Sequence, residues 1–127
     1  MVPPVILLVD DEFDLLQVLA EAVRLRLPKY DVVEATSIEQ AEEALSNLNA
    51  TRTPLALMVV DHRMGERTGL EFIQQAQRRY PDVPTMMYTG QASSGIEAQA
   101  QAAGVKVLWK PVKLMELIHE IETLVGP

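Results

Sequence analysis

The run Leu55-Ala56-Leu57-Met58-Val59-Val60, which leads directly into Asp61-His62-Arg63-Met64-Gly65, constrains the fold more than any other stretch. Six successive apolar residues without polar alternation specify a strand buried on both faces, the pattern of a parallel sheet covered by helices. The strand ends on a carboxylate and passes into a short polar loop with glycines at Gly65 and Gly69. Functional groups in open α/β sheets gather just beyond the carboxyl ends of the strands. Asp61 is therefore the first candidate for chemistry.

The rest of the chain repeats the alternation. Val5-Ile6-Leu7-Leu8-Val9 reads as a strand and ends in Asp10-Asp11-Glu12, before a helical pattern from Phe13 to Leu27 that Pro28 stops. A second strand, Asp31 to Ala35, precedes Ser37 and Gln40, a capping-box spacing that opens a helix from Ile38 to about Leu48. A helix follows Gly69 as far as Arg79, then a strand Thr85 to Tyr88 ending in Thr89-Gly90, and a helical segment Ala92 to Ala103. Val105 to Leu108 is the fifth strand, running into Trp109-Lys110-Pro111, and a helix from Lys113 to Val125 completes the pattern. Five strands and five helices in strict alternation specify an α/β fold with a parallel sheet.

A chain of 127 residues suits one domain, 1–127, and no second domain is expected. Apolar runs stop at five or six residues, well short of the eighteen or so that a membrane helix needs. The N-terminus lacks the pattern of a signal peptide. Cysteine is absent, which removes disulfides and thiolate metal sites and is compatible with a cytoplasmic protein. The net charge of −7 argues against direct nucleic-acid binding by this domain.

Four strand ends carry polar groups: Asp10 and Asp11, Asp61, Thr89, and Lys110. A sheet ordered 2-1-3-4-5 sets the first and third strands side by side where the winding reverses, bringing Asp10, Asp11 and Asp61 together. Three clustered carboxylates repel unless a cation sits among them, and oxygen-only ligands suit a hard ion such as Mg²⁺. Lys110 and Thr89 at the same rim suit the oxygens of a phosphoryl group. An aspartate can itself be the nucleophile, forming an acyl phosphate without a general base.

Asp10-Asp11, Asp61, Thr89 and Lys110-Pro111, in this order at successive strand ends, resemble the response-regulator receiver domain of two-component signalling, of the chemotaxis-regulator-like type, over essentially the whole chain. The resemblance implies a flavodoxin-like (βα)5 fold: a parallel five-stranded sheet of order 2-1-3-4-5 with helices on both faces. It implies that Asp61 accepts a phosphoryl group from a phosphohistidine donor, either a sensor histidine kinase or a histidine phosphotransfer protein. Asp11 would ligate Mg²⁺ directly and Asp10 through water, with Asp61 and the backbone carbonyl of Arg63 as further ligands. Thr89 and Lys110 would contact the phosphoryl oxygens, and the Lys110–Pro111 peptide would be cis. Phosphorylation would then remodel a surface of the fourth helix, fifth strand and fifth helix that meets a downstream protein.

Departures from the family pattern are as informative. Gly65 stands where proline often follows the methionine, so a less rigid loop is expected, and Val107 replaces the aromatic that usually moves with the threonine. Tyr88 and Trp109 are the nearby aromatics. Arg63 and Gln91 occupy positions that in this family tune the lifetime of the acyl phosphate. The first helix carries Asp14, Gln17, Glu21 and Arg24 in one narrow arc, leaving roughly two-thirds of its circumference apolar. Such a helix is either wedged between neighbours or offers an apolar docking face for the phosphodonor. His62 is expected to be a bystander and His119 to lie on the polar side of its helix. Trp109 either packs on the fourth or fifth helix or anchors a partner. The segment Ser93 to Ala103, with Ile96 its one large apolar residue, should bury little area and be mobile.

Two rivals remain: a degenerate receiver serving as a binding module, and a Mg²⁺-dependent phosphatase with an aspartyl-phosphate intermediate. Phosphatases of the haloacid-dehalogenase type carry a second aspartate two residues after the nucleophile, where this chain has Arg63. A turnover enzyme is not expected.

Overall fold

The computed structural model describes residues 2–90 and 94–126, with the side chain of Ser94 excepted. Five strands form one parallel sheet: β1 (Val5–Val9), β2 (Asp31–Ala35), β3 (Leu55–Asp61), β6 (Thr85–Thr89) and β7 (Lys106–Trp109), in the order β2-β1-β3-β6-β7. Two short strands, β4 (Arg63–Met64) and β5 (Arg67–Thr68), form a separate antiparallel hairpin. With the hairpin set aside the order is 2-1-3-4-5, the flavodoxin-like arrangement that the resemblance implies.

Five helices cover the sheet: α1 (Phe13–Arg26), α2 (Ile38–Thr51), α3 (Gly69–Arg79), α4 (Ser94–Ala102) and α5 (Leu114–Val125). Because side chains alternate along a strand, each buried strand feeds two cores. Leu7, Val9, Met58, Val60 and Met87 pack with α2, α3 and Ala100 of α4 on one face. Ile6, Leu8, Leu57, Val59, Met86 and Tyr88 pack with Leu16, Leu19, Leu117 and Ile121 of α1 and α5 on the other. The uninterrupted apolar runs exist to serve both.

Helix ends follow local chemistry. Pro28 stops α1 one residue after its cap, Leu27. Ser37 caps α2 by accepting from Gln40 N at 3.1 Å, but Gln40 turns its side-chain oxygen to Thr36 N, so only half of the expected capping box forms. The complete box lies elsewhere: Thr68 caps α3 and Glu71 returns the bond. The Thr-x-x-Glu spacing was readable in the sequence and was missed.

Helix α1 is not wedged on all sides. It buries Leu16, Leu19, Ala20 and Val23 but leaves Phe13 57%, Val18 51% and Leu25 83% exposed. Helix α4 buries Ala100 fully, and Ile96 packs partly against the core. Gln91, expected to tune an acyl phosphate, lies outside the described residues. Among the described residues no helix is long and apolar enough to cross a membrane.

Candidate functional site

The alternation that builds the two cores also aims the site. Asp10 continues the Ile6-Leu8 row of β1, Asp61 the Leu57-Val59 row of β3, and Tyr88 the Met86 row of β6. All three therefore emerge on the α1–α5 side of the sheet. Asp61 and Tyr88 are register partners across β3 and β6. Asp10, Asp11 and Asp61 each offer a carboxylate oxygen within 4.8 Å of the others. Asp10 and Asp61 are buried, whereas Asp11 is exposed.

Lys110, one residue beyond β7, reaches back to this cluster. Its Nζ donates to Asp61 Oδ2 at 3.1 Å, and a looser contact of 3.7 Å reaches Glu12 Oε1, a partner the sequence did not suggest. Its backbone N–H donates to Thr89 O at 2.9 Å. Thr89 itself is fully buried at the end of β6. The Lys110–Pro111 peptide is cis, as the resemblance implied.

Burial and the nearby Asp10 charge raise the Asp61 carboxyl to about 6, against the opposing pull of Lys110 and of a 3.3 Å bond from Arg63 N to Asp61 Oδ1. Burial pulls the Lys110 ammonium down, but the Asp61, Asp10 and Glu12 carboxylates outweigh it and leave the lysine above its ordinary value. An oxygen-rich pocket in which one carboxylate is held out of its ordinary ionisation range fits a hard divalent cation, which would relieve the mutual repulsion. Asp10, Asp11 and Asp61 could hold such an ion.

The residues after Asp61 form a short hairpin. Gly65 and Glu66 connect the paired strands; Gly65 has φ 76° and Glu66 has no positive φ, which suits the two-residue hairpin turn with glycine at its first corner. Proline, fixed near −65°, cannot take that place. Arg67 pins the hairpin to α2 through a fork of two 2.8 Å bonds to Glu42. That bond holds the Glu42 carboxyl below its usual range, and the same partner raises Arg67. At the foot of the hairpin Gly69 N donates to His62 O at 2.8 Å, and a Cβ at Gly69 would overlap the Asp61 carbonyl oxygen and come within 2.8 Å of Val60 Cγ1.

The remaining candidates separate clearly. His62 is buried, its Nδ1 has no hydrogen-bond partner among the described residues, and burial together with the Arg63 charge lowers its pKa. Its backbone N–H donates to Tyr88 O at 3.3 Å. The Arg63 and His119 side chains are exposed. Val107 packs on the α2–α3–α4 side. Trp109 is 42% exposed and lines a surface cleft with Val112, Met115 and His119, so it rests only partly on α5.

Tyr88 is the residue that sequence reasoning undervalued. It is 2% exposed, and its hydroxyl donates to Asp10 Oδ2. The Lys110 ammonium lies 5.0 Å from its ring centroid. An aromatic in a buried strand reads as packing, and its polar partner on β1 is invisible without the sheet order.

Comparison with known proteins agrees with this geometry. Residues 6–122 match the model of the response regulator receiver domain. The chain is 34% identical over 118 residues to the response regulator protein PilR of Pseudomonas aeruginosa, covering 92% of this chain and 25% of PilR. It is 32% identical over 120 residues to the response regulator receiver protein CpdR of Brucella abortus, covering 94% of each. It thus spans about a quarter of one relative and nearly all of the other. The non-phosphorylated HemR receiver domain from Leptospira biflexa superposes with a TM-score of 0.81 at 30% identity, covering 98% of this chain and 95% of that one. A CheY-like receiver domain protein from Methanospirillum hungatei JF-1, at 23% identity, shares the fold with a TM-score of 0.84 over 96% of this chain and 93% of that one. With its strand order and its acidic rim, this chain belongs to the response regulator receiver domains of two-component systems.

Proposed function

We propose that this receiver accepts a phosphoryl group on Asp61 from a phosphohistidine donor in a Mg²⁺-dependent reaction and passes the signal on by protein contact, in the cytoplasm. The observation that carries the reading is Asp61 at the mouth of β3, 3.1 Å from Lys110 and clustered with Asp10 and Asp11. A carboxylate oxygen of Asp61 attacks phosphorus in line; the O–P bond forms as the P–N bond breaks, and the electron pair leaves on the imidazole nitrogen of the donor. Asp10, Asp11, Asp61 and the Arg63 carbonyl would hold Mg²⁺, which when bound supplies positive charge to the phosphoryl oxygens. Lys110 would neutralise the same oxygens, and Thr89 at the adjoining strand end would bond one of them.

The donor docks on α1. Leu15 and Val18 form a groove of about 440 Å³ with Glu12, Pro111, Val112 and Leu114, directly beside Lys110. An apolar helix carrying a phosphohistidine fits such a groove. The downstream surface is α4, β7 and α5, where Trp109 and Met115 stand exposed. The domain modifies itself and is not a turnover enzyme.

Intact-mass measurement tests the reading. Acetyl phosphate with Mg²⁺ adds one phosphoryl group to the wild type and none to Asp61→Asn. A wild type that stays unmodified by acetyl phosphate and by a competent phosphohistidine donor acts as a binding module instead. Sustained phosphate release from many equivalents of a phosphoester would make it a phosphatase.

A further inference from the structure

Asp10 has no exposed surface, yet each of its carboxylate oxygens is met from inside the protein. Glu12 N donates to Oδ1 at 2.8 Å, and the Tyr88 hydroxyl donates to Oδ2. The first bond is local, two residues along the chain. The second crosses from β6 to β1, over the intervening β3 that delivers Asp61. A buried carboxylate with both oxygens held cannot rotate, and groups that hold ligands in this way set both ligand orientation and affinity.

The same side chain meets the cation of the site. Lys110 Nζ stands 5.0 Å from the Tyr88 ring centroid while donating to Asp61. That distance lies within the range in which an ammonium is attracted to an aromatic face. The ring itself is packed among the α1–α5 core and is wedged at the inner wall of the groove lined by Leu15, Val18 and Pro111.

We infer that Tyr88 is a positioning residue of the acidic pocket: its hydroxyl aims Asp10 at the divalent cation, and its ring face steadies the Lys110 ammonium over Asp61. The two halves of the side chain therefore have separable duties. The hydroxyl acts on metal affinity, and the ring acts on the lysine. The inference rests on the cation-binding part of the proposed function and not on the identity of the phosphodonor.

Two variants separate the duties. Tyr88→Phe removes the hydroxyl and keeps the ring; Tyr88→Leu removes both. Mn²⁺ is titrated into each protein without phosphodonor, bound ion being read from the loss of the free-ion EPR signal and checked by Mg²⁺ competition. Tyr88→Phe should bind Mn²⁺ about tenfold more weakly than wild type. Its phosphorylation rate by acetyl phosphate should recover nearly fully at saturating Mg²⁺. Tyr88→Leu should show the same loss of affinity, with a reduced rate that saturating Mg²⁺ does not restore. A role in packing alone would lower stability while leaving the Mn²⁺ affinity of folded Tyr88→Phe equal to wild type, and that equality overturns the inference. Wild type that binds Mn²⁺ but is never phosphorylated overturns the phosphoacceptor reading alone. Wild type that binds no Mn²⁺ overturns both.

Discussion

Lys110 and Asp61 meet at 3.1 Å although they come from strands separated by a third, β6, and are 49 residues apart in the chain. Lys110 is half-buried and Asp61 almost wholly so, which places the pair where water screens it only in part. The lysine is the one cation that touches the Asp61 carboxylate among the described residues. The chemistry of the rim turns on this contact.

Lys110→Ala should leave the fold intact and slow acyl-phosphate formation by about 100-fold at saturating Mg²⁺, the usual loss when one charge-stabilising donor is removed. With the lysine gone, one of the influences holding the Asp61 carboxyl down is lost, so the rate should also rise with pH over a more alkaline range. Rates followed by intact mass across pH would check both statements. An unchanged rate would remove Lys110 from the site.

Asp61 should weaken the metal-free protein at neutral pH. Its carboxyl is raised from an ordinary 3.8 to about 6 in the folded state, chiefly by burial. Between those values the folded protein keeps a proton that the unfolded chain has lost, so stability falls as pH rises through the window. Asp61→Asn should therefore be more stable than wild type at about pH 8 in EDTA, by on the order of 1–3 kcal/mol. The gap should close below about pH 4, where both states of the wild type are protonated, and narrow at pH 8 when Mg²⁺ is added. Urea unfolding under the three conditions gives the answer. A pH-independent difference would count against a strained acceptor.

Gly65 tests the hairpin. A Cβ there meets nothing within 4 Å, so any penalty comes from the backbone. Gly65→Ala should cost about 1 kcal/mol for placing an L-residue at φ 76°. Gly65→Pro should cost more, about 2–3 kcal/mol, because the ring forbids that angle altogether. Proline is thus expected to be the worse of the two substitutions, as thermal unfolding would reveal. A neutral proline variant would mean that the hairpin is dispensable.

Arg67 and Glu42 should act as one unit. Breaking the fork with either Arg67→Ala or Glu42→Ala should speed amide exchange at Met64, Arg67 and Thr68 while leaving β1 protected. The double variant should exchange no faster than either single one. Additive effects would show that the two side chains hold the hairpin independently.

Much of this was legible in the sequence. β1 and β3 are continuous apolar runs because each feeds a core on both faces, so their ends, and the acids on them, stand out against the grease. The strand order came with the family resemblance that the residues at those ends carry. The β4–β5 hairpin was not legible, since each strand is two residues long and its anchor, Glu42, is 25 positions away. Tyr88 was misjudged for a similar reason: only the folded sheet brings Asp10 to its hydroxyl. In α1, periodicity shows which residues are apolar but not how much of the helix its neighbours cover. The structure leaves Phe13, Val18 and Leu25 in solvent.

The close seat of Gly69 on the Asp61 carbonyl has a mechanical meaning. The first turn of α3 bears on the main chain of the acceptor from one side, and the Tyr88 carbonyl takes the His62 N–H from the other. The peptide backbone at Asp61 is thus an anvil, braced from both sides beneath its own side chain. A charge added to the Asp61 side chain would therefore meet a braced main chain, and Lys110, already in contact with that carboxylate, is the side chain nearest to answer it.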